Sequence, residues 1–266
     1  MKLSISNIGW SNENDVNVYE LMKKYGYSGL EIAPTRIFPE APYDKLKEAG
    51  VWVENFKKKY GLCVSSMQSI WFGRQEKIFG SKEERQILVE YTKKAIDFAS
   101  VIGCRNLVFG CPRNRNLPEG KDGDSAVDFF KEIGDYAASK NTIVGMEANP
   151  TIYNTNYVND TLTALQLIKK VDSKGFLLNL DVGTMIQNEE DVSELVDNVE
   201  WINHVHISEP GLKPIQKRDI HMQLKNILLE GGYKGFISIE VKKQEKILVI
   251  ENMMEYIGNI QIKNDV

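Results

Sequence analysis

Short runs of apolar and β-branched residues recur along the chain at intervals of about 30 residues. The eight runs are LSIS at 3–6, GLEIA at 29–33, CVSSMQ at 63–68, NLVFG at 106–110, TIVGME at 142–147, FLLNLD at 176–181, HVHIS at 204–208 and FISIE at 236–240. Strands of a β-sandwich follow one another about every 8–12 residues, so the longer interval disfavours a sandwich. The short β-branched runs also disfavour a helical bundle.

Segments with helical periodicity separate the runs. Apolar residues recur at helical spacing over 16–25, 88–99, 127–137 and 162–171. Amphipathic helices that alternate with almost wholly apolar strands are typical of parallel sheets covered by helices. The sequence therefore predicts an α/β fold, a closed barrel of eight parallel strands that forms one domain over 1–266. An open doubly wound sheet is the alternative, but such sheets usually have fewer strands, and no glycine-rich phosphate loop follows the first run.

Composition and charge exclude several classes of protein. The 266 residues include 33 Lys+Arg against 37 Asp+Glu, a formal net charge of −4, so we expect no nucleic-acid partner. No run of 18 apolar residues occurs, so we expect no membrane-spanning helix and no membrane partner. The first residues become polar too early for a signal peptide, and the three cysteines are an odd number. We therefore expect a cytoplasmic protein with reduced thiols.

Acidic and histidine side chains occupy corresponding places in four consecutive runs. Glu147, Asp181 and Glu240 end the fifth, sixth and eighth runs, and His206 lies near the end of the seventh. The intervals are 34, 25 and 34 residues (181−147, 206−181 and 240−206), which is one strand-and-helix unit each. The carboxyl ends of barrel strands form the functional face, and adjacent strands lie about 4.8 Å apart. We therefore expect the four side chains to converge.

Three carboxylates and an imidazole that converge would repel one another unless a cation lay between them. A donor set of mostly oxygen with one nitrogen favours Mn²⁺, with Mg²⁺, Co²⁺ or Zn²⁺ as alternatives. A single acidic residue at a strand end is often a helix cap or part of a loop ion pair. The coincidence of four favours a metal site. His204 shares a strand face with His206 and is either a second ligand or a hydrogen-bonded core residue.

The segments GMEANP, LNLDVG, HVHISEP and SIEVK resemble those of the xylose-isomerase-like TIM-barrel superfamily, the sugar phosphate isomerase/epimerase group. The resemblance extends over essentially the whole chain and implies a TIM barrel, a carbohydrate substrate and metal ligands at the four positions above. The endonuclease IV branch of this superfamily needs several more histidines for its trinuclear zinc site. This chain has three histidines in total, so a role in DNA repair is disfavoured.

The chain also departs from the sugar epimerases that it resembles. Those enzymes typically place a histidine three residues after the sixth-strand Asp, an arginine six residues after the seventh-strand His, and a second glutamate six residues after the fifth-strand Glu. The corresponding residues here are Thr184, Leu212 and Tyr153. The resemblance therefore predicts the metal ligands, whereas the substrate contacts are expected to differ.

The resemblance implies an isomerase or epimerase that moves a proton through a metal-stabilised enediolate, with Glu147 and Glu240 as the catalytic acid and base. A metal-dependent dehydratase or lyase acting on an inosose-like or other polyhydroxylated keto substrate is one alternative. A barrel that binds sugars without catalysis is another. The sequence leaves the particular sugar and the oligomeric state open.

Seven residues near the strand ends are candidate substrate contacts: Trp10, Glu31, Trp71, Asn149, Glu209, His221 and Lys242. Each has a structural alternative. The tryptophans are also expected in loop packing, and Glu31 could form a buried ion pair with Arg36 or Lys242. Arg113 and Arg115 follow the fourth run and would suit a phosphorylated or acidic sugar, although solvated surface charge is the commoner role of such residues.

Overall fold

The computed structural model describes residues 1–262. Within them the chain forms a closed barrel of eight parallel strands in sequence order, in which β8 pairs with β1 to complete the ring. The strands are β1 (Lys2–Ser6), β2 (Tyr27–Ile32), β3 (Cys63–Met67), β4 (Asn106–Phe109), β5 (Ile143–Met146), β6 (Phe176–Asp181), β7 (Ile202–Ile207) and β8 (Phe236–Ile239). The predicted eight-stranded barrel is therefore confirmed, and residues 263–266 of the predicted domain lie outside the described residues.

Helices cover the outside of the barrel. They are α1 (Asp15–Lys24), α2 (Pro34–Ile37), α3 (Leu46–Tyr60), α4 (Lys82–Val101), α5 (Val127–Ser139), α6 (Thr161–Val171), α7 (Val182–Asn188), α8 (Asp219–Glu230) and α9 (Ile247–Ile262). Between α7 and β7 the chain forms a 3₁₀ helix over Val192–Trp201 instead of a full α-helix. None of the helices in residues 1–262 is both long enough and apolar enough to cross a bilayer.

Local sequence signals explain where several helices begin and end. Ser81 and Glu84 form a reciprocal capping box at the start of α4, which satisfies two backbone N–H groups that the helix leaves without partners. Asp160 caps α6 through the backbone N–H of Thr163 at 2.8 Å. Gly61 ends α3 with a φ of 70°, in the left-handed region that glycine adopts at little cost.

The hydrophobic core lies mainly between the strands and the surrounding helices. Phe130 of α5 packs between Phe109 of β4 and Phe176 of β6, with ring centroids 5.2 and 4.9 Å apart. All three rings are fully buried, and full burial of such a side chain contributes about 1.5–3 kcal/mol. These contacts fix the neighbouring strands β4, β5 and β6 against one helix.

The inside of the barrel also carries a polar layer. Asn106 Nδ2 donates to Ser66 Oγ at 2.9 Å and to Asn179 Oδ1 at 3.2 Å. Asn179 Nδ2 in turn donates to Glu147 Oε1 at 2.8 Å. These buried amides satisfy one another, as buried polar groups must. They also connect three barrel strands to a carboxylate at the carboxyl-terminal end of the barrel.

Candidate metal and active site

Four side chains meet at the carboxyl ends of β5 to β8. Glu147, Asp181, His206 and Glu240 each offer a ligand atom, and these atoms all lie within 4.8 Å of one another. His206 Nδ1 lies 2.9 Å from Glu147 Oε1 and 3.3 Å from Glu240 Oε2. The register of the barrel causes this convergence, since Asp181 and His206 are paired neighbours across β6 and β7.

Hydrogen bonds from α7 and from the residue that follows β7 hold Asp181 in place. Its Oδ2 accepts from the backbone N–H of Thr184 at 2.9 Å, so the same carboxylate caps α7. The Thr184 hydroxyl lies 2.8 Å from Oδ2, and Ser208 Oγ donates to Oδ1. Thr184, which replaces the epimerases' substrate-binding histidine, therefore orients a cluster carboxylate in this chain.

The Glu147 side chain is held in place by amide groups and by a buried guanidinium group. Asn179 donates to Oε1 as described above, and Asn149 Nδ2 lies 3.2 Å from Oε2. Arg115 donates to the Glu147 carbonyl at 2.8 Å and to Asn149 Oδ1 at 3.0 Å. A Cβ atom on Gly110 would lie 2.9 Å from Glu147 Oε2, so this glycine makes room for the carboxylate. Arg115 is fully buried, and its charge supports the site from within the protein.

Glu31 determines the orientation of the His206 ring. Glu31 Oε2 lies 2.8 Å from His206 Nε2, and Gln68 Nε2 donates to Glu31 Oε1 at 3.3 Å. Glu31 accepts the proton on Nε2, so Nδ1, which faces the carboxylates, is the nitrogen that a metal ion would take. His204 Nε2 lies 3.2 Å from Glu31 Oε2 without the alignment of a hydrogen bond, and His204 lies outside the four-residue cluster.

The electrostatics of the cluster indicate a shortage of positive charge. Burial, with the charge of Glu147 added, raises the pKa of Asp181 to about 6. Burial also raises the pKa of Glu240 to about 7, against the opposing charge of His206. Burial alone would raise the pKa of Glu31 as well, but the charge and hydrogen bond of His206, with His204 close by, outweigh it and lower that pKa. Crowded, desolvated carboxylates of this kind suit a bound divalent cation.

A cavity of about 540 Å³ opens above the cluster. Glu147, Asp181 and Glu240 lie in its wall, together with Asn149 and Tyr153 from the loop after β5. The rest of the lining comes mainly from residues 68–75, which follow β3, and 110–114, which follow β4. The cavity is therefore bounded by the cluster and by the loops that follow β3, β4 and β5.

Two of the seven residues predicted to contact substrate, Trp71 and Asn149, line this cavity. Trp71 is almost wholly buried, because its ring packs against Phe109 and its Nε1 donates to Thr92 Oγ1 at 2.8 Å. Trp10 lies outside the lining and is 1% exposed, and its Nε1 donates to Asp15 Oδ1 at 2.8 Å. The placement of Trp10 corresponds to the loop-packing alternative.

The other four predicted contacts also lie outside the cavity lining. Glu31 is buried beneath it and pairs with His206, and neither Arg36 nor Lys242 is its partner among the described residues. Glu209 is bound to Arg218, with Oε2 2.7 Å from a guanidinium nitrogen. His221 packs on α8 with Nδ1 3.0 Å from the Tyr256 hydroxyl, and the side chain of Lys242 is exposed to solvent.

Several lining residues were absent from the predicted set. Tyr153 is one, and its hydroxyl accepts from the backbone N–H of Gly211 at 3.0 Å, so its own hydrogen remains available to a ligand. The only sequence signal for Tyr153 was that position 153 departs from the epimerase pattern. Leu212, another departure, also lines the cavity. Phe72 and Gln68 carried no comparable signal, because only the fold of the loop after β3 brings them to the cavity.

Together the fold and the cluster define a β/α barrel with a carboxylate–histidine site at the carboxyl ends of its strands. A family model described as a xylose isomerase-like TIM barrel matches residues 19–258. The chain belongs to that family, which confirms the resemblance seen in the sequence. A comparison with curated proteins finds no match.

Solved structures of similar fold cover nearly the whole chain. A 3-keto-D-glucoside 4-epimerase, YcjR, from E. coli has a TM-score of 0.77 and 21% identity, over 97% of this chain and 99% of that one. D-psicose 3-epimerase with D-tagatose from Clostridium cellulolyticum H10 has a TM-score of 0.78 and 15% identity, over 98% of both chains. A family 2 AP endonuclease from Brucella melitensis has a TM-score of 0.74 and 18% identity, over 97% and 99%. Similarity at these identities shows the fold alone.

Proposed function

We propose that this chain is a divalent-metal-dependent sugar isomerase or epimerase. The observation that carries the proposal is the placement of Glu147 and Glu240 within 2.9 and 3.3 Å of His206 Nδ1, in the wall of a cavity large enough for a sugar. Two of the structural neighbours described above are named as sugar epimerases, which supports the same reaction class.

The donor set fits a divalent cation. Glu147, Asp181, His206 and Glu240 would hold it, since three carboxylates and one unprotonated imidazole nitrogen suit Mn²⁺, with Mg²⁺, Co²⁺ or Zn²⁺ as alternatives. When bound, such an ion supplies Lewis-acid stabilisation of the negative charge that develops on substrate oxygens. Asp181 and His206 are fixed by neighbouring hydrogen bonds, so they serve mainly to hold the ion.

Glu147 and Glu240 carry the proton transfer. One carboxylate accepts the proton from the carbon next to the substrate carbonyl, and the C–H electron pair moves into the carbon–carbon double bond of an enediolate. The other, in its acid form, returns a proton. Return to the opposite face of the same carbon gives epimerisation, and return to the neighbouring carbon gives isomerisation. Asn149 and Tyr153 lie beside Glu147 and are placed to bind sugar hydroxyls.

The experiment incubates the protein with Mn²⁺ and a panel of ketoses in D₂O, followed by NMR. We expect deuterium from solvent at the epimerised or isomerised carbon. Glu147→Gln and Glu240→Gln should each lower the rate by about 10²–10⁴-fold while the fold is retained. Glu132→Gln, which changes an exposed glutamate on α5, is the control and should keep the full rate.

Other outcomes would contradict the proposal. An ultraviolet-absorbing enone or a shortened carbon chain would indicate a dehydratase or lyase. Saturable sugar binding without deuterium exchange would indicate a barrel that binds sugars without catalysis. A rate close to that of the unmodified protein in either glutamine variant would remove that residue from the proton transfer.

A further inference from the structure

The cavity is larger than a single sugar requires. A hexose has twelve non-hydrogen atoms, and even if each took the share of one water molecule in the liquid, about 30 Å³, the sugar would fill only about 360 Å³. The cavity measures about 540 Å³. A sugar bound at the four-residue cluster therefore leaves room at the end of the cavity formed by residues 69–75 and 111–114, which we call the outer end.

An aromatic ring and a cation face this outer end. Phe72 is 70% exposed although it is a large apolar side chain, and it belongs to the cavity lining. Arg113 is also exposed and lines the cavity. None of the ion pairs within residues 1–262 involves the Arg113 guanidinium, so its donors are available to a ligand. An exposed aromatic ring beside free hydrogen-bond donors suits the apolar face and the hydroxyl groups of a sugar ring.

The two loops of the outer end are joined to each other. Asn114 Nδ2 donates to the carbonyls of Glu76 and Arg74 at 2.8 and 3.2 Å, and its own carbonyl accepts from the N–H of Ile78 at 2.9 Å. Lys77 Nζ donates to the Arg113 carbonyl. These contacts hold the two loops together, and loops organised before binding lose less entropy when a ligand binds.

Backbone conformation supports the same conclusion. Ser69 and Cys111 begin the two loops with φ values of 54° and 44°, in the left-handed region that residues other than glycine seldom adopt. Such conformations cost free energy and persist where the surrounding structure maintains them, commonly at ligand sites.

We propose that the outer end is a subsite for a second ring joined through a glycosidic bond to a reacting sugar that keeps its own carbonyl, so that the preferred substrate is such a glycoside and not a free monosaccharide. The ring stacks on Phe72, and its hydroxyl groups accept hydrogen bonds from Arg113. This inference rests on the proposed function, which places the reacting sugar at Glu147 and Glu240. It adds a substrate class to that function.

The test measures binding by isothermal titration calorimetry with the Mn²⁺-loaded protein. The ligands are glucose, galactose, mannose and xylose, each compared with a disaccharide in which it is the reducing sugar. We expect at least one glycoside to bind about tenfold more tightly than its parent sugar. Phe72→Ala should remove most of that preference and leave the affinity for the free sugar unchanged. Leu248→Ala, which removes a 62% exposed apolar side chain on α9, is the matched control.

The results separate this inference from the proposed function. If free sugars bind and exchange deuterium while no glycoside binds more tightly than its parent, the subsite is refuted and the proposed function stands. Equal weakening of free sugar and glycoside in Phe72→Ala would also refute it, as would loss of the preference in Leu248→Ala. If no sugar or glycoside binds at all, both the subsite and the proposed function are wrong.

Discussion

Replacing Glu31 by glutamine tests how the imidazole of the cluster is prepared for a metal ion. Glu31 is fully buried, and its two oxygens accept on opposite sides, from His206 Nε2 at 2.8 Å and from Gln68 Nε2 at 3.3 Å. Glutamine keeps the shape of this side chain but has a single acceptor oxygen. If that oxygen accepts from Gln68, the amide NH₂ faces His206 Nε2 and favours the tautomer with its proton on Nδ1, which cannot ligate a metal ion.

The opposite orientation of the glutamine places its NH₂ group against that of Gln68, so neither arrangement satisfies both neighbours. Loss of a hydrogen-bond partner behind a metal-ligating histidine typically lowers metal affinity by about 10–100-fold. This corresponds to about 1.4–2.8 kcal/mol of binding free energy. We expect the dissociation constant of Mn²⁺ for Glu31→Gln to rise by that factor.

The assay is titration of the metal-free protein with Mn²⁺, followed by calorimetry or by the electron paramagnetic resonance signal of the free ion. Asp15→Asn provides a control, because Asp15 accepts from Trp10 Nε1 and Arg36 at 2.8 and 2.9 Å and lies outside the cluster. It should lower stability without a change in Mn²⁺ affinity. A Glu31→Gln protein that binds Mn²⁺ within threefold of the unmodified protein would refute the reasoning, as would an equal loss in Asp15→Asn.

Three further predictions follow from the packing and burial of single residues. Gly110→Ala should weaken Mn²⁺ binding at least severalfold in the same titration, because its Cβ would displace Glu147 Oε2; unchanged affinity would show that the carboxylate moves freely. Gly50→Ala, in α3 with only Val101 in ordinary contact, should raise the free energy of unfolding by about 0.5–1 kcal/mol in urea; a lower midpoint would contradict this. Burial lowers the pKa of His221 from its ordinary value of about 6.5 to about 4, so between these pH values the unfolded chain binds a proton that the folded chain does not. The free energy of unfolding should therefore fall as the pH is lowered through that window. In urea titrations, His221→Gln should lose less of it between pH 7 and pH 5 than the unmodified protein does. Equal losses in the two proteins would contradict the assignment to His221.

The barrel could be predicted in detail from the chain. Strands buried on both faces must be nearly continuous in apolar residues, which is why the sixth run, 176–181, coincides with β6 (Phe176–Asp181). The seventh run begins two residues late, because Ile202 and Asn203 do not extend the apolar alternation of HVHIS. The 3₁₀ helix at Val192–Trp201 was not anticipated, and the pattern could not have shown it, because Val192, Leu195, Val196 and Val199 recur at the spacing of an α-helix.

The convergence of the four cluster residues could also be predicted from the sequence. Each lies at the end of a strand of the predicted parallel barrel, and the carboxyl ends of such strands form one face. Their role as metal ligands remains a prediction that the Mn²⁺ titration tests. The residues behind and around the cluster could not be predicted in the same way. Arg115 was expected at the surface or at a substrate, and the structure buries it against Glu147 and Asn149.

The sequence by itself determined the strands, most of the helices and the four side chains at the strand ends, because these follow from periodicities of two and 3.6 residues and from a repeating unit. Only the tertiary structure decided that Glu31 lies against His206, 175 positions away in the sequence, and that the Trp10 ring is buried beside Asp15. It alone placed Phe72 and Arg113 on one cavity wall. The physical reason is that a local pattern specifies which face of an element is buried, whereas contacts across the barrel and between loops depend on how the ring closes and how the loops bond to each other.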